Sequence, residues 1–425
     1  MLTLRQAAKY HSAQTRRTFR TAQWRMLLAT MLCYLFYYTG RQTLGFAFPG
    51  IEKELRLDKV TLGWINACML WCYAIGQAVN GNLGDKFGGR RMMSLGGIVS
   101  CVMNWVMSFG TTFASLQIPW AINGYVQSMG WAPGSRLLCN WWDRSERGKV
   151  YGLYVFSSGL SSILAFVTST AILAMGLNWR WIFRLPVLLM ALSSVAFYLI
   201  VRDEPRELGF PSPDQDDDTT FNSACEGTLS EETVLHRYKS VLKHGRFRIA
   251  SLAIGFQSAA RYGLLTWIPV HYLNTNNLNA KWITVALPTG MALGPLCSGW
   301  VSDKCFRDRR YWGIFLFMLL AAASAISMFF LPFRFTAQIG LLFLCGFFTF
   351  GPQSAYFALC PELLGSNRAG TGTGIMDMCA YLFAGLSGPL IGWIIQSHSN
   401  HTALIFPIVA ISCTLSALVS LFIRK

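Results

Sequence analysis

Runs of about 20 predominantly apolar residues recur along the chain from Met26 to Phe422, and each is long enough to cross the hydrocarbon core of a bilayer as a helix. No strand-length alternation competes with them. We place the runs at 27–49, 61–81, 92–112, 115–139, 148–175 and 180–202, then at 247–272, 281–302, 311–331, 337–359, 368–397 and 402–423. The pattern predicts an all-α membrane protein of twelve transmembrane helices.

Composition agrees, since 53% of the 425 residues are hydrophobic and only 13% are charged, too little polar surface for an ordinary soluble domain. The formal net charge is +16. Its basic residues lie in short loops beside the runs, where they set orientation in a bilayer rather than recruit nucleic acid. The tail 1–26 carries Arg5, Lys9, Arg16, Arg17, Arg20 and Arg25 without an acid and reads as cytoplasmic. Counting from it, Lys86, Arg90 and Arg91, then Arg144, Arg147 and Lys149, and later Arg307, Arg309 and Arg310 share that side, as does the C-terminus. The tail lacks the apolar core and small-residue cleavage site of a signal peptide. The twelve cysteines are scattered and read as packing residues rather than redox or metal ligands.

Between Val201 and Gly245 the apolar pattern stops, and Asp203, Glu204, Pro205, Pro211, Pro213 and Asp214 make the segment acidic and hostile to helices. The chain then divides into a tail 1–26, a six-helix bundle 27–202, a cytoplasmic linker 203–245 and a second six-helix bundle 246–425. The halves correspond in detail. Gly81, Asp85, Lys86, Arg90 and Arg91 after the second span are answered by Gly299, Asp303, Lys304, Arg309 and Arg310 after the eighth. Arg147-Gly148 is answered by Arg368-Ala369-Gly370, and Arg41 by Arg261. The offset stays near 220 residues, as in a duplicated unit, and parallel repeats of this kind place a substrate site between the halves near mid-membrane. In the loop motif the glycine lets helices approach, the carboxylate caps or pairs at a helix end, and the basic residues hold the loop inside. Asp85, Arg90, Arg91, Asp303, Arg309 and Arg310 are therefore candidate gating residues.

Arg41 and Arg261 lie too deep in their spans to snorkel easily, and an arginine at the centre of a transmembrane helix costs roughly 2.5–3.5 kcal/mol on insertion scales. A permanently charged planar fork suits phosphate or carboxylate, and two forks from equivalent helices would hold a dianion in a central cavity. Asp377 is the clearest acid within the spans. It is expected to pair with one of these arginines in the empty carrier or to take up a proton, which makes it the candidate coupling residue; a hydrogen-bonded structural role is the alternative. Tyr37, Tyr38, Tyr262, Trp131 and Trp267 are placed either to line the cavity or to pack. Arg136 and Trp141-Trp142 are expected to anchor the inner end of the fourth span, and His271 to sit at the outer interface. No Walker loop, zinc-ligand spacing or nucleophile elbow is present, so the sequence suggests no enzyme and no cofactor.

Tyr37-Tyr38 before Arg41, the run Gln127-Ser128-Met129-Gly130-Trp131-Ala132-Pro133, Trp141-Trp142 and Glu146-Arg147-Gly148 resemble the organophosphate:phosphate antiporter branch of the major facilitator superfamily. Arg261-Tyr262-Gly263, Trp267, Pro269, Gly299-Trp300, Ser302-Asp303-Lys304 and Gly351-Pro352 extend the resemblance through the second half. It implies a multi-pass bacterial inner-membrane transporter whose paired arginines, Arg41 and Arg261, bind the phosphoryl group. A lysine of the family's second span is replaced here by Gln77, and a histidine of its fifth span by Ser158, so both join Tyr38, Tyr262 and Trp131 as candidate substrate contacts. The resulting expectation is a monomeric secondary transporter that exchanges a phosphorylated metabolite for inorganic phosphate by alternating access. A proton-coupled carrier of another small organic anion such as a carboxylate, and a transporter-like sensor of sugar phosphate, are the other readings.

Overall fold

The computed structural model describes residues 13–211, 234–273, 278–305, 309–330, 335–364 and 369–424, all helix and connecting turn. The first half comprises α1 (Ala13–Tyr37), α2 (Leu44–Leu55), α3 (Lys59–Phe87), α4 (Gly89–Ser108), α5 (Phe113–Gln127), α6 (Trp131–Trp141), α7 (Arg144–Ala174) and α8 (Leu185–Ile200). After the short α9 (Val234–Lys243) the second half follows, with α10 (Gly245–Leu273), α11 (Leu278–Ile283), α12 (Ala286–Cys305), α13 (Arg310–Phe330), α14 (Phe335–Phe350), α15 (Gln353–Leu364), α16 (Ala369–Ser397) and α17 (Ile405–Leu421). Six segments are long and apolar enough to cross a membrane by length and composition alone: Lys149–Ala174, Trp179–Ile200, Arg310–Phe330, Phe335–Leu364, Gly372–Ser397 and Thr402–Leu421. The middle of the expected linker, residues 212–233, lies outside the described residues, as do Arg307 and Arg368.

Three expected spans break near their middles rather than running continuously. The first breaks between α1 and α2, where Tyr38–Gly40 form a single 3-10 turn. Carbonyls freed there must find partners inside the protein, because the hydrocarbon core offers no water. The Asn123 and Asn104 amides both donate to the Gly40 carbonyl, at 2.7 and 3.1 Å, and the Gln127 amide donates to Tyr37 O at 3.1 Å. Ser161 Oγ donates to Leu35 O at 2.6 Å and accepts from Tyr38 N at 3.2 Å. The fourth span breaks between α5 and α6, where Gly130 O accepts the Tyr154 hydroxyl at 2.9 Å. Its counterpart in the second half breaks at Gly351-Pro352, and the Gln257 amide donates to the Thr349 carbonyl beside that break at 2.9 Å.

The halves meet on the side of the bundle away from the chain termini. Asn66 Nδ2 donates to Thr266 Oγ1 at 3.0 Å, and Thr170 and Thr284 place their hydroxyls 3.5 Å apart. Helices α3 and α16 approach so closely that a Cβ on Gly63 would lie 2.5 Å from Pro389 N.

On the terminal side, Gly88 turns the chain between α3 and α4. Its φ of 83° and a would-be Cβ 2.4 Å from the Asp203 carboxylate both demand glycine. Asp203 accepts a hydrogen bond from Arg90 N at 2.8 Å, while burial pushes its carboxyl above the usual range. Arg20 on α1 donates to both carboxylate oxygens of Glu146, at 2.5 and 2.6 Å. Trp141 and Trp142 do not anchor at an interface as expected. They are almost fully buried, with Arg20 above the Trp142 ring and Trp141 Nε1 donating to Arg202 O at 2.8 Å. The reason is the inward extension of α1, which covers them.

Candidate functional site

Arg41 sits directly after the 3-10 turn that interrupts the first span, whereas Arg261 lies within the unbroken α10. Both are buried, at 8% and 9% exposure, and the Nε of each has no hydrogen-bond partner among the described residues. Aromatic rings lie beside both guanidinium groups. Arg41 Cζ lies 3.8 Å from the centre of the Tyr38 ring and 4.8 Å from that of Tyr73; Arg261 Cζ lies 3.7 Å from Phe350 and 5.1 Å from Tyr262. Stacking orients a guanidinium while leaving its in-plane N–H groups free to bind an anion.

A trio of tyrosines joins the two arginines across the halves. The rings of Tyr73 on α3 and Tyr381 on α16 are 4.7 Å apart, and the Tyr262 hydroxyl lies 3.3 Å from that of Tyr381. On the terminal side of the trio a cavity of about 390 Å³ is lined by Arg261, Tyr38, Tyr262, Gln77, Ser158 and Trp131 among others. Arg41 belongs instead to a chamber of about 20 Å³ beyond the tyrosines, bordered by Gln42, Asn66 and Thr266. The expected pair is therefore staggered about the trio rather than facing one open space. Tyr38 is the link, touching Arg41 by its ring and lining the main cavity. Tyr37 and Trp267 are almost fully buried and absent from either lining, so of the five aromatic candidates these two pack.

Asp377 lines the same cavity, on one face of α16 with Thr373 and Tyr381. The expected pairing with an arginine is not formed among the described residues: Asp377 is absent from the ion pairs Arg20–Glu146, Lys59–Glu52, Arg180–Glu54 and Arg310–Glu362. Arg261 and Arg41 remain within its electrostatic reach, each with an aromatic ring beside its guanidinium group.

The gating candidates lie apart from this site, at the terminal ends of their helices. Asp85 falls in the last turn of α3 and Asp303 in the last turn of α12, and the side chains of both lie outside the described residues. Arg90 Nε donates to Tyr198 O at 2.7 Å, and Arg310 Nε donates to Glu362 at 2.6 Å; Arg91 and Arg309 are exposed. His271 is tied to Thr402 at 2.9 Å near the opposite end.

Sequence reasoning missed Tyr73, Phe350 and Tyr381. Two of them carried a signal in their spacing. Tyr73 precedes Gln77 by one helical turn and its hydroxyl accepts from the Gln77 amide at 2.8 Å, while Tyr381 follows Asp377 by one turn.

The sequence profile of the Major Facilitator Superfamily matches residues 30–389. Among curated proteins, the chain is 27% identical to the probable hexose phosphate transport protein of Chlamydia trachomatis serovar D, over 93% of this chain and 90% of that one. It is 25% identical to the glycerol-3-phosphate transporter of Haemophilus influenzae, over 90% and 87%. The membrane sensor protein UhpC of Salmonella typhimurium is 27% identical, over 95% and 92%. Among solved structures, a bacterial homologue of the human lysosomal transporter Spinster, inward-facing and unoccupied, superimposes over 95% of each chain with a TM-score of 0.75 at 15% identity. With a profile match across most of its length, and with two broken-helix bundles meeting around a cavity that holds Arg261 and Asp377, the chain belongs to the Major Facilitator Superfamily.

Proposed function

We propose that this chain is a secondary transporter that exchanges a small phosphorylated metabolite for inorganic phosphate by alternating access, with Arg41 and Arg261 as the phosphoryl subsite. One observation carries the reading: two buried arginines from corresponding positions of the two halves flank a cross-half tyrosine trio, each with an unpartnered Nε. A bound dianion would satisfy both forks, and its departure would release the halves from each other. The names of the relatives, hexose phosphate and glycerol-3-phosphate transporters, support the same substrate class. In this reading the protein is a monomer of a bacterial inner membrane with its termini in the cytoplasm. Labelled phosphate entering proteoliposomes preloaded with phosphate, competed by a panel of phosphorylated and carboxylated metabolites, tests the proposal. Uptake that ignores internal phosphate would overturn it.

Asp377 in the cavity wall supports a second reading, proton-coupled uptake of another small organic anion. Accumulation driven by an imposed pH gradient, and lost in Asp377→Asn, would favour that reading over exchange. The UhpC relative keeps a sensor in view, and a chain that binds phosphate esters without any flux would mark one.

A further inference from the structure

The cavity that Arg261 lines also contains a carboxylate. Asp377 lines the cavity, and among the described residues it forms neither an ion pair nor a hydrogen bond. Gln77 and Ser158 keep the neighbouring walls neutral. Two arginines balance a phosphoryl dianion, so Asp377 would remain as one excess negative charge in the cavity wall. Buried charge of that kind is costly unless a partner arrives with the ligand. Sugar or glycerol hydroxyls would donate hydrogen bonds to the carboxylate but would not cancel its charge. An ammonium group does both.

The surroundings suit a cation. Asp377 is in electrostatic reach of Tyr151, whose ring lies 5.7 Å from that of Trp131, and Tyr381 stands one turn along α16. These rings share the cavity wall with the carboxylate, and aromatic rings attract cations. Four residues of α-helix, a rise of about 6 Å, separate Asp377 from Tyr381, whose ring neighbours Tyr73 and Tyr262 are the ones beside Arg41 and Arg261. That spacing fits an amine joined to a phosphate by a short aliphatic spacer.

We propose that the preferred substrate is an aminoalkyl phosphate monoester, its phosphoryl group held between Arg41 and Arg261 and its ammonium group held by Asp377. The proposal rests on the reading of the arginines as the phosphoryl subsite. The test uses the whole chain in proteoliposomes exchanging labelled phosphate, with phosphoethanolamine and glycerol-3-phosphate as competitors of similar size. In the parent protein, phosphoethanolamine should half-inhibit at a concentration roughly tenfold lower, as one charge-assisted contact would give. In Asp377→Asn that concentration should rise roughly tenfold while the one for glycerol-3-phosphate falls, reversing the order. Equal potency in the parent protein, or an order that Asp377→Asn leaves intact, overturns the amine subsite while phosphate exchange stands. Absence of phosphate exchange altogether removes the phosphoryl subsite and the amine proposal with it.

Discussion

Gly45 passes so close to Thr266 that a Cβ at its position would lie 2.2 Å from the Thr266 carbonyl oxygen. The two residues belong to different halves, on α2 and α10, and their contact helps close the bundle on the side away from the termini. Backbone cannot retreat as a flexible side chain can, so any larger residue at 45 must push the halves apart. Overpacking of this kind costs about 1–3 kcal/mol, and here the cost falls on the closed arrangement alone. Gly45→Val should therefore raise the population open on that side, by roughly tenfold for each 1.4 kcal/mol. Labelling of an engineered cysteine at position 66 by a membrane-impermeant reagent reads this directly. Unchanged labelling would show that the Gly45–Thr266 contact does not hold the seal.

The loop motif calls for a separation of rate from affinity. Asp85 ends α3, several turns from the tyrosine trio that contains Tyr73 of the same helix. We expect Asp85→Asn to slow turnover several-fold, because a weakened loop contact alters the exchange between states. Equilibrium binding of phosphate should change little. A variant with weakened binding and normal turnover would place Asp85 in substrate recognition instead.

Topology is the third expectation. Basic residues recur at alternate loops with the phase set by Arg16, Arg17, Arg20 and Arg25, so both termini and residues 203–245 should be cytoplasmic. Reporter fusions after residue 215 and at the C-terminus should give cytoplasmic signals. An external signal at either position would break the register of spans.

Much of the architecture was legible in the sequence because lipid imposes a simple length rule, and Arg41 and Arg261 were legible because a buried charge is rare enough to need a reason. Helix breaks were harder to see. Nothing in Tyr37-Tyr38-Thr39-Gly40 compels a turn; Asn104, Asn123, Gln127 and Ser161 permit it by meeting the freed carbonyls and amides. Those four polar residues in apolar spans were the available signal. Trp141 and Trp142 were misplaced because the aromatic-belt rule concerns exposed rings, while here Phe19, Arg20 and Trp24 of α1 pack over them. Tyr73 and Phe350 touch the arginines only through tertiary packing, which helical spacing around Arg41 and Arg261 does not reveal.

The paired arginines give the most direct test, since their arrangement separates charge from shape. Arg41 Cζ lies over the Tyr38 ring, and Arg261 Cζ over the Phe350 ring. A lysine at either site keeps one positive charge, but it offers neither a plane for the ring beneath nor a fork for two phosphate oxygens. Losing one charge-assisted contact costs roughly 1.5–3 kcal/mol, so Arg41→Lys and Arg261→Lys should each reduce phosphate exchange by about ten- to a hundredfold. Tyr38→Leu should reproduce part of the Arg41→Lys effect, because it removes the surface that orients the guanidinium without touching the charge. Exchange of labelled phosphate by equal amounts of reconstituted protein measures all three. If Arg41→Lys exchanges phosphate like the parent while Arg261→Lys does not, the small chamber behind the tyrosines plays no part in binding. The phosphoryl subsite would then belong to Arg261 and the main cavity alone.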